Sequence, residues 1–166
     1  FAQAQALLQK LGALDLSCAI TAHGKAMAEL PLHPRLAHMV IAARHLGAGQ
    51  SAAEIAGLLS ERDGAARDAS IDVEQRLMMM RGTARARWQQ VVKQIRDLAS
   101  LQKDTSDVSH GVLVALAYPD RIARKRGGRY QLSGGGGAAL PPHDNLNKSE
   151  WLAIATLDGA AGDGKA

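Results

Sequence analysis

Cysteine is nearly missing from this 166-residue chain, and aromatic residues are almost as scarce. The single cysteine, Cys18, excludes a disulfide framework within the chain and any zinc site built on cysteines, and it suits a reducing compartment. As a small apolar side chain with nothing nearby to lower its pKa, it is expected to be buried. Aromatics make up 3% of the residues against 46% apolar overall, so the core must be assembled from Ala, Leu, Val, Ile and Met. That favours packed helices over a β-sandwich, because strand propensity leans on aromatic side chains. No apolar run approaches the roughly 18 residues of a membrane span. The opening FAQAQALLQK lacks the basic-then-apolar layout of a secretory leader. These absences predict a cytoplasmic segment of one or two small domains with no membrane partner.

What is present is a basic middle. Residues 1–80 hold 7 Lys/Arg against 8 Asp/Glu, residues 81–130 hold 11 against 4, and residues 131–166 hold 2 against 4. A polyanion is the natural partner for the middle stretch. Charge alone leaves a solvated helical face equally open.

The apolar spacing predicts a helix over 3–11 ended by Gly12, a short extended element near Ile20, and a helix over 22–29 capped by Thr21. A third helix starts at Pro34 and ends at Gly47, with Leu36, Met39, Val40, Ala43 and Leu46 on one stripe. Arg35, His38 and His45 share another side of it, expected to be solvated. Ser51 with Glu54 reads as a capping box opening a helix over 52–60, and 61–70 reads as a loop. A helix runs from Asp72 to Arg81; in it the run Met78, Met79, Met80 serves mainly as core filling. The clearest helix covers about 84–102, with Trp88, Val91, Val92, Ile95 and Leu98 at helical spacing and Arg85, Gln89, Lys93, Arg96 and Lys103 on an adjoining stripe. A helix over 107–118 is apolar nearly all round and is expected to be buried. After Pro119 comes a basic segment, then the strands YQLS and EWLAIATL separated by a glycine turn at 134–137. Two or three strands cannot close a barrel, so this reads as the beginning of a β-domain.

No catalytic constellation emerges. Gly159 to Lys165 spells G-x-x-x-x-G-K, but Ala166 stands where a phosphate-binding loop needs Ser or Thr for Mg²⁺, so it reads as a glycine-rich turn or tail. His33, His38 and His45 do not repeat the four-residue spacing that puts two metal ligands on one helix face, and no metal site is expected. Ser109 and His110 are adjacent and do not face each other on a helix. The residues that can carry function are basic. Arg81, Arg85, Lys93 and Arg96 lie on or before one helix, and Arg121, Arg124, Lys125 and Arg126 follow the apolar one. Together they could neutralise phosphates along one groove. With Trp88 on the apolar face, base stacking is not expected to dominate, and binding should be backbone-directed and sequence-tolerant.

Residues 11–40 resemble the helicase-associated region of DEAH-box and related RHA-type ATP-dependent RNA helicases. The likeness is carried by Leu11–Leu14 (LGAL), Thr21 with Gly24, Met27–Glu29 and Pro31-Leu32-His33-Pro34-Arg35-Leu36-Ala37. The later Ala117-Tyr118-Pro119-Asp120-Arg121-Ile122-Ala123 is similar to the bacterial HrpB branch. The resemblance implies a mainly α fold: a winged-helix domain (1–47), a helical ratchet-like bundle (48–126) and the start of an OB-like β-domain (127–166). It implies that the winged helix braces RecA-like motor domains of the same protein, and that bundle and β-domain guide single-stranded RNA or another nucleic acid. ATP and Mg²⁺ would belong to those motor domains, with no cofactor held here. Two other readings remain open: a winged-helix DNA-binding regulator, which would need a groove-reading helix richer in Arg, Asn or Gln, and a non-catalytic scaffold.

Overall fold

The computed structural model describes residues 2–60, 70–82, 86–157 and the strand 163–165. Seven helices among them precede a small sheet: α1 (Ala2–Lys10), α2 (Ala22–Ala28), α3 (Pro34–His45), α4 (Gly49–Ser60), α5 (Val73–Gly82), α6 (Ala86–Leu98) and α7 (His110–Ala117). The mainly helical fold expected from the composition is the one observed. Gly12, at φ +69°, turns the chain out of α1, a conformation that side chains other than glycine rarely adopt. Leu14 then bridges Ile20, the brief extended element read at that position. Thr21 Oγ1 accepts from the Gly24 amide at 2.9 Å and donates to the Gly12 carbonyl at 2.6 Å, so one side chain both caps α2 and closes the preceding loop.

One apolar cluster runs from Leu11 to Ala117 and takes residues from every stretch between α2 and α7. It crosses residue 47 without a break, since α3 packs on both α4 and α7. Gly57 allows the closest approach of α4 to α6: a Cβ there would sit 2.9 Å from Val92 Cγ2 and 3.1 Å from Trp88 Nε1.

Several local expectations needed correction. Ser51 does not begin a capping box, because the helix starts two residues earlier at Gly49. Its first turn is capped from 54 residues away: the Asp104 carboxylate accepts from Gln50 N at 2.7 Å, Ser51 N at 3.0 Å and Ser51 Oγ at 2.6 Å. The amides of Thr105 and Ser106 bond the Gly47 carbonyl, fastening the loop after α6 onto the α3–α4 turn. Freed from that role, Glu54 pairs with Arg81. Helix α6 stops at Leu98, short of the expected 102, as Ser100 turns to φ +50° and Leu101 N bonds Arg96 O. Helix α7 is not buried all round: Leu113, Val114 and Ala117 face the core while Val112 is exposed. Of the three consecutive methionines Met80 is buried, and Met78 and Met79 are exposed. Cys18 is exposed as well, in a tight loop at φ +66°.

The largest difference lies after Pro119. The basic segment read there without structure is strand β1 (Ile122–Arg126), followed by β2 (Arg129–Leu132), β3 (Gly137–Ala139), β4 (Trp151–Ala153) and β5 (Asp163–Lys165). Its charges hid it, because only Ala123 on its inner side is buried. The sheet order is β4-β1-β2-β3-β5, antiparallel except for the β3–β5 pair. A second small core of Ala123, Tyr130, Leu132, Ala138 and Ile154 lies under it. The end of the G-x-x-x-x-G-K string is therefore an extended strand rather than a frayed tail. A phosphate-binding loop would place a helix N-terminus there, so these residues do not fit ATP.

Candidate nucleic-acid interface

Strand register decides which basic residues share a surface. Side chains alternate across a strand, and directly paired residues of neighbouring strands lie on the same face. On β1 the inner residues are Ala123 and Lys125, and the outer ones are Ile122, Arg124 and Arg126. Arg124 pairs with Gln131 on one side and Trp151 on the other, and Arg126 pairs with Arg129. The outer face therefore gathers Arg124, Arg126, Arg129, Gln131 and Trp151. Its other end, at Ile122 and Ala153, is partly covered, with Ala153 packed against the helical core. Trp151 is 56% exposed, and the Arg124 guanidinium lies 5.2 Å from its ring centre. The same guanidinium pairs with Glu150 at 2.9 Å, but both partners are at least half exposed, so the pair is worth little.

The basic residues singled out in the sequence have different fates. Arg124 and Arg126 stand on this face. Lys125 lies on the opposite face, exposed, and its Nζ donates to the Asn147 carbonyl, holding the 3-10 turn Asn145–Lys148 against the sheet. Tyr130 OH does the same to Leu146 O and Ser149 O, at 3.0 and 2.7 Å. Arg121 is turned back to the body of the protein, donating to Ala155 O at 2.7 Å with its guanidinium 5.0 Å from the Tyr118 ring. Arg81 is held by Glu54, with Nε at 2.9 Å. Lys93 is exposed and Arg96 half-buried on α6, beside the stripe of buried Trp88, Val92 and Ile95, and neither forms an ion pair among the described residues. Arg85 lies outside the described residues. No hydrogen bond or ion pair among the described residues joins the α6 face to the sheet face; α6 packs on α4, and β4 on α7.

Trp151 is the residue that the sequence reading missed. Leu152 and Ile154 alternate toward the sheet core, which puts Trp151 on the opposite side, and that alternation was the available signal.

The third helix is less solvated than expected. Arg35 forms a bidentate pair with Asp120, Nη1 at 2.5 Å and Nη2 at 3.0 Å, and Nη1 also donates to Ala117 O at 3.1 Å. Burial is the largest single influence and would raise the Asp120 carboxyl, but the Arg35 hydrogen bond, a backbone bond and the charges of Arg35 and Arg121 together outweigh it, and the pKa falls below the usual value. His38 meets His23 of α2 across 2.8 Å, from its Nδ1 to Nε2 of His23. Burial lowers the pKa of both rings, aided for His38 by the charge of His23. His45 alone of the three is exposed.

Residues 4–32 match the family model described as "Helicase associated domain (HA2), winged-helix". The ATP-dependent RNA helicase HrpB of Escherichia coli (strain K12) is 38% identical over 161 residues, which is 95% of this chain and 19% of that protein. The chain is thus similar to the helicase-associated region of HrpB. Two solved structures agree. The E. coli DExH-box NTPase HrpB superposes with a TM-score of 0.82 at 36% identity, over 98% of this chain and 20% of that one. The E. coli DEAH/RHA helicase HrpB gives 0.80 at 34% identity, over 97% and 20%. The HrpB-like region thus spans about a fifth of the length of these relatives.

Proposed function

We propose that this HrpB-like region grips single-stranded nucleic acid, RNA in the first instance, for a cytoplasmic helicase whose RecA-like motor domains lie outside the chain. ATP and Mg²⁺ act in those domains, and the winged-helix part braces them. The observation that supports this reading is the outer sheet face, where Arg124, Arg126 and Arg129 share one surface with an exposed indole that Arg124 flanks. Guanidinium groups neutralise phosphates whatever the sequence, and an exposed ring stacks on any base. Base stacking thus joins the backbone-directed binding expected from charge alone. Lys93 and Arg96 on α6 provide a second contact for a strand that crosses the helical body.

Titration of labelled single-stranded RNA and of duplex DNA at rising salt tests this. The logarithm of the affinity should fall linearly with the logarithm of salt, with a slope near 0.7 per phosphate contacted. Trp151→Ala should weaken RNA binding by about 1–3 kcal/mol, the usual contribution of one base stacked on an aromatic side chain. A preference for one duplex sequence would favour a DNA-binding regulator, and absence of binding to either would favour a scaffold. The chain by itself should turn over no ATP.

A further inference from the structure

The two sequence motifs that carry the helicase likeness, one in α3 and one after α7, meet at a single point. Arg35 comes from the first and Asp120 from the second, 85 residues apart. Tyr118 is enclosed there, with the guanidinium groups of Arg35 and Arg121 at 5.3 and 5.0 Å from its ring centre. From this point the links run into the sheet. Gly134 N donates to Asp120 O, Ser133 Oγ to Pro119 O at 2.7 Å, Ile154 N to Arg121 O, and Arg121 Nη1 to Ala155 O. The helical body and the sheet keep separate apolar cores, and the apolar joint between them is narrow, with Ala153 and Ala155 of the sheet segment reaching the helical core.

On the side of the Arg35–Asp120 pair there is open space instead of packing. A cleft of about 640 Å³ lies between α1, at Gln3, Leu7 and Lys10, and the sheet turn at Ser133 and Gly134. Arg35 and Asp120 form its inner wall. The pair is sheltered on the arginine side, 13% exposed against 37% for Asp120, so solvent screens it less than an ordinary surface pair.

We propose that the Arg35–Asp120 pair is a latch that sets the angle of the sheet on the helical body, and that its release lets the sheet swing into the cleft beside α1. Two facts carry this: the bonds from the body to the sheet gather at Pro119, Asp120 and Arg121, the turn that Arg35 holds through Asp120, and a void lies on the side toward which the sheet can move. A latch at this position decides whether the α6 face and the outer sheet face present one path to a bound strand. That last consequence rests on the function proposed above, whereas the latch itself does not.

The experiment measures geometry and binding separately on the full chain. Spin labels at Gln94→Cys on α6 and Asn145→Cys on the 3-10 turn held against the sheet, in a Cys18→Ser background, report the distance distribution by pulsed electron resonance. The unaltered pair should give one narrow distribution. Asp120→Asn and Arg35→Met should each broaden it and shift it, and the exchange Arg35→Asp with Asp120→Arg should narrow it again. Arg35→Lys keeps the charge but loses the fork, and should fall between. Circular dichroism identifies any variant that has simply unfolded, and the milder Asp120→Asn and Arg35→Lys keep the test open in that event. A distribution equally narrow in folded Asp120→Asn and Arg35→Met overturns the latch. RNA affinity should fall about five-fold in the broadened variants, at the low end of couplings between separate sites. Broadening without that loss keeps the latch and refutes its link to strand binding; absence of RNA binding by the unaltered chain refutes the proposed function alone.

Discussion

Removing the Asp104 carboxylate tests whether α4 depends on a cap from a distant loop. The carboxylate takes three hydrogen bonds, at 2.7, 3.0 and 2.6 Å, two of them from first-turn amides that have no partner inside the helix. Loss of a capping side chain costs about 0.5–2 kcal/mol, and single hydrogen bonds to charged groups contribute about 1.5–3 kcal/mol. The site is half-buried, so water recovers part of this, and Asp104→Ala should cost about 2 kcal/mol in all. For a chain of this size that lowers Tm by roughly 4–8 °C. Urea unfolding followed by circular dichroism should show a lower midpoint with an unchanged slope. Asp104→Asn retains one acceptor oxygen and should lose about half as much, whereas Ser51→Ala, which removes one hydroxyl bond, should lose about 1 kcal/mol. A cost for Asp104→Ala within about 0.5 kcal/mol, the range of an ordinary surface substitution, would refute the argument.

Three further outcomes follow from the packing and the titrating groups. The folded protein holds His23 and His38 at pKa values below 6.5, chiefly by burial, so the unfolded chain takes up their protons first as pH falls. Stability is complete above the unfolded value, declines as pH drops below it, and levels off once the folded rings also protonate; urea midpoints across this range should decline less in His38→Gln. Gly57→Val would force a side chain against Val92 and Trp88 and should cost about 1–3 kcal/mol by the same unfolding assay. Tyr130→Phe takes the tyrosine donor from the Ser149 carbonyl, while Leu146 O keeps its bond from Ser149 N, and should cost about 1–3 kcal/mol. Faster amide exchange over 145–149 would place that loss.

The helical part was legible in the sequence because its determinants are local. Thr21, Pro34, Gly12 and Gly47 act within a turn of where they stand, and Leu36, Met39, Val40 and Ala43 are buried as their spacing demands, whereas Leu46, the last of that stripe, is exposed at the helix cap. The failures have a common cause in contacts between distant residues. The cap on α4 comes from Asp104, and Arg35 is drawn from solvent by Asp120; neither partner lies near in sequence. Strand β1 was hidden because three of its five residues are charged and exposed, a pattern that a half-covered sheet permits and a propensity reading rejects. Of the basic residues picked from charge, Arg124 and Arg126 share a face with Trp151, while Arg81, Arg121 and Lys125 hold the fold together. Charge counts cannot separate the two kinds, since that depends on which way each side chain points.

The chain has two tryptophans, and the fold gives them opposite surroundings: Trp88 is sealed between α4 and α6, and Trp151 stands in water on the sheet. Their fluorescence therefore provides two reporters without added label. Indole emission shifts to the blue in an apolar setting, so Trp88 should report melting of the helical body, and the red-emitting Trp151 should be the one quenched by an aqueous quencher. With either indole replaced by phenylalanine, the remaining signal follows one half of the molecule, and unfolding and ligand contact become separable in a single cuvette.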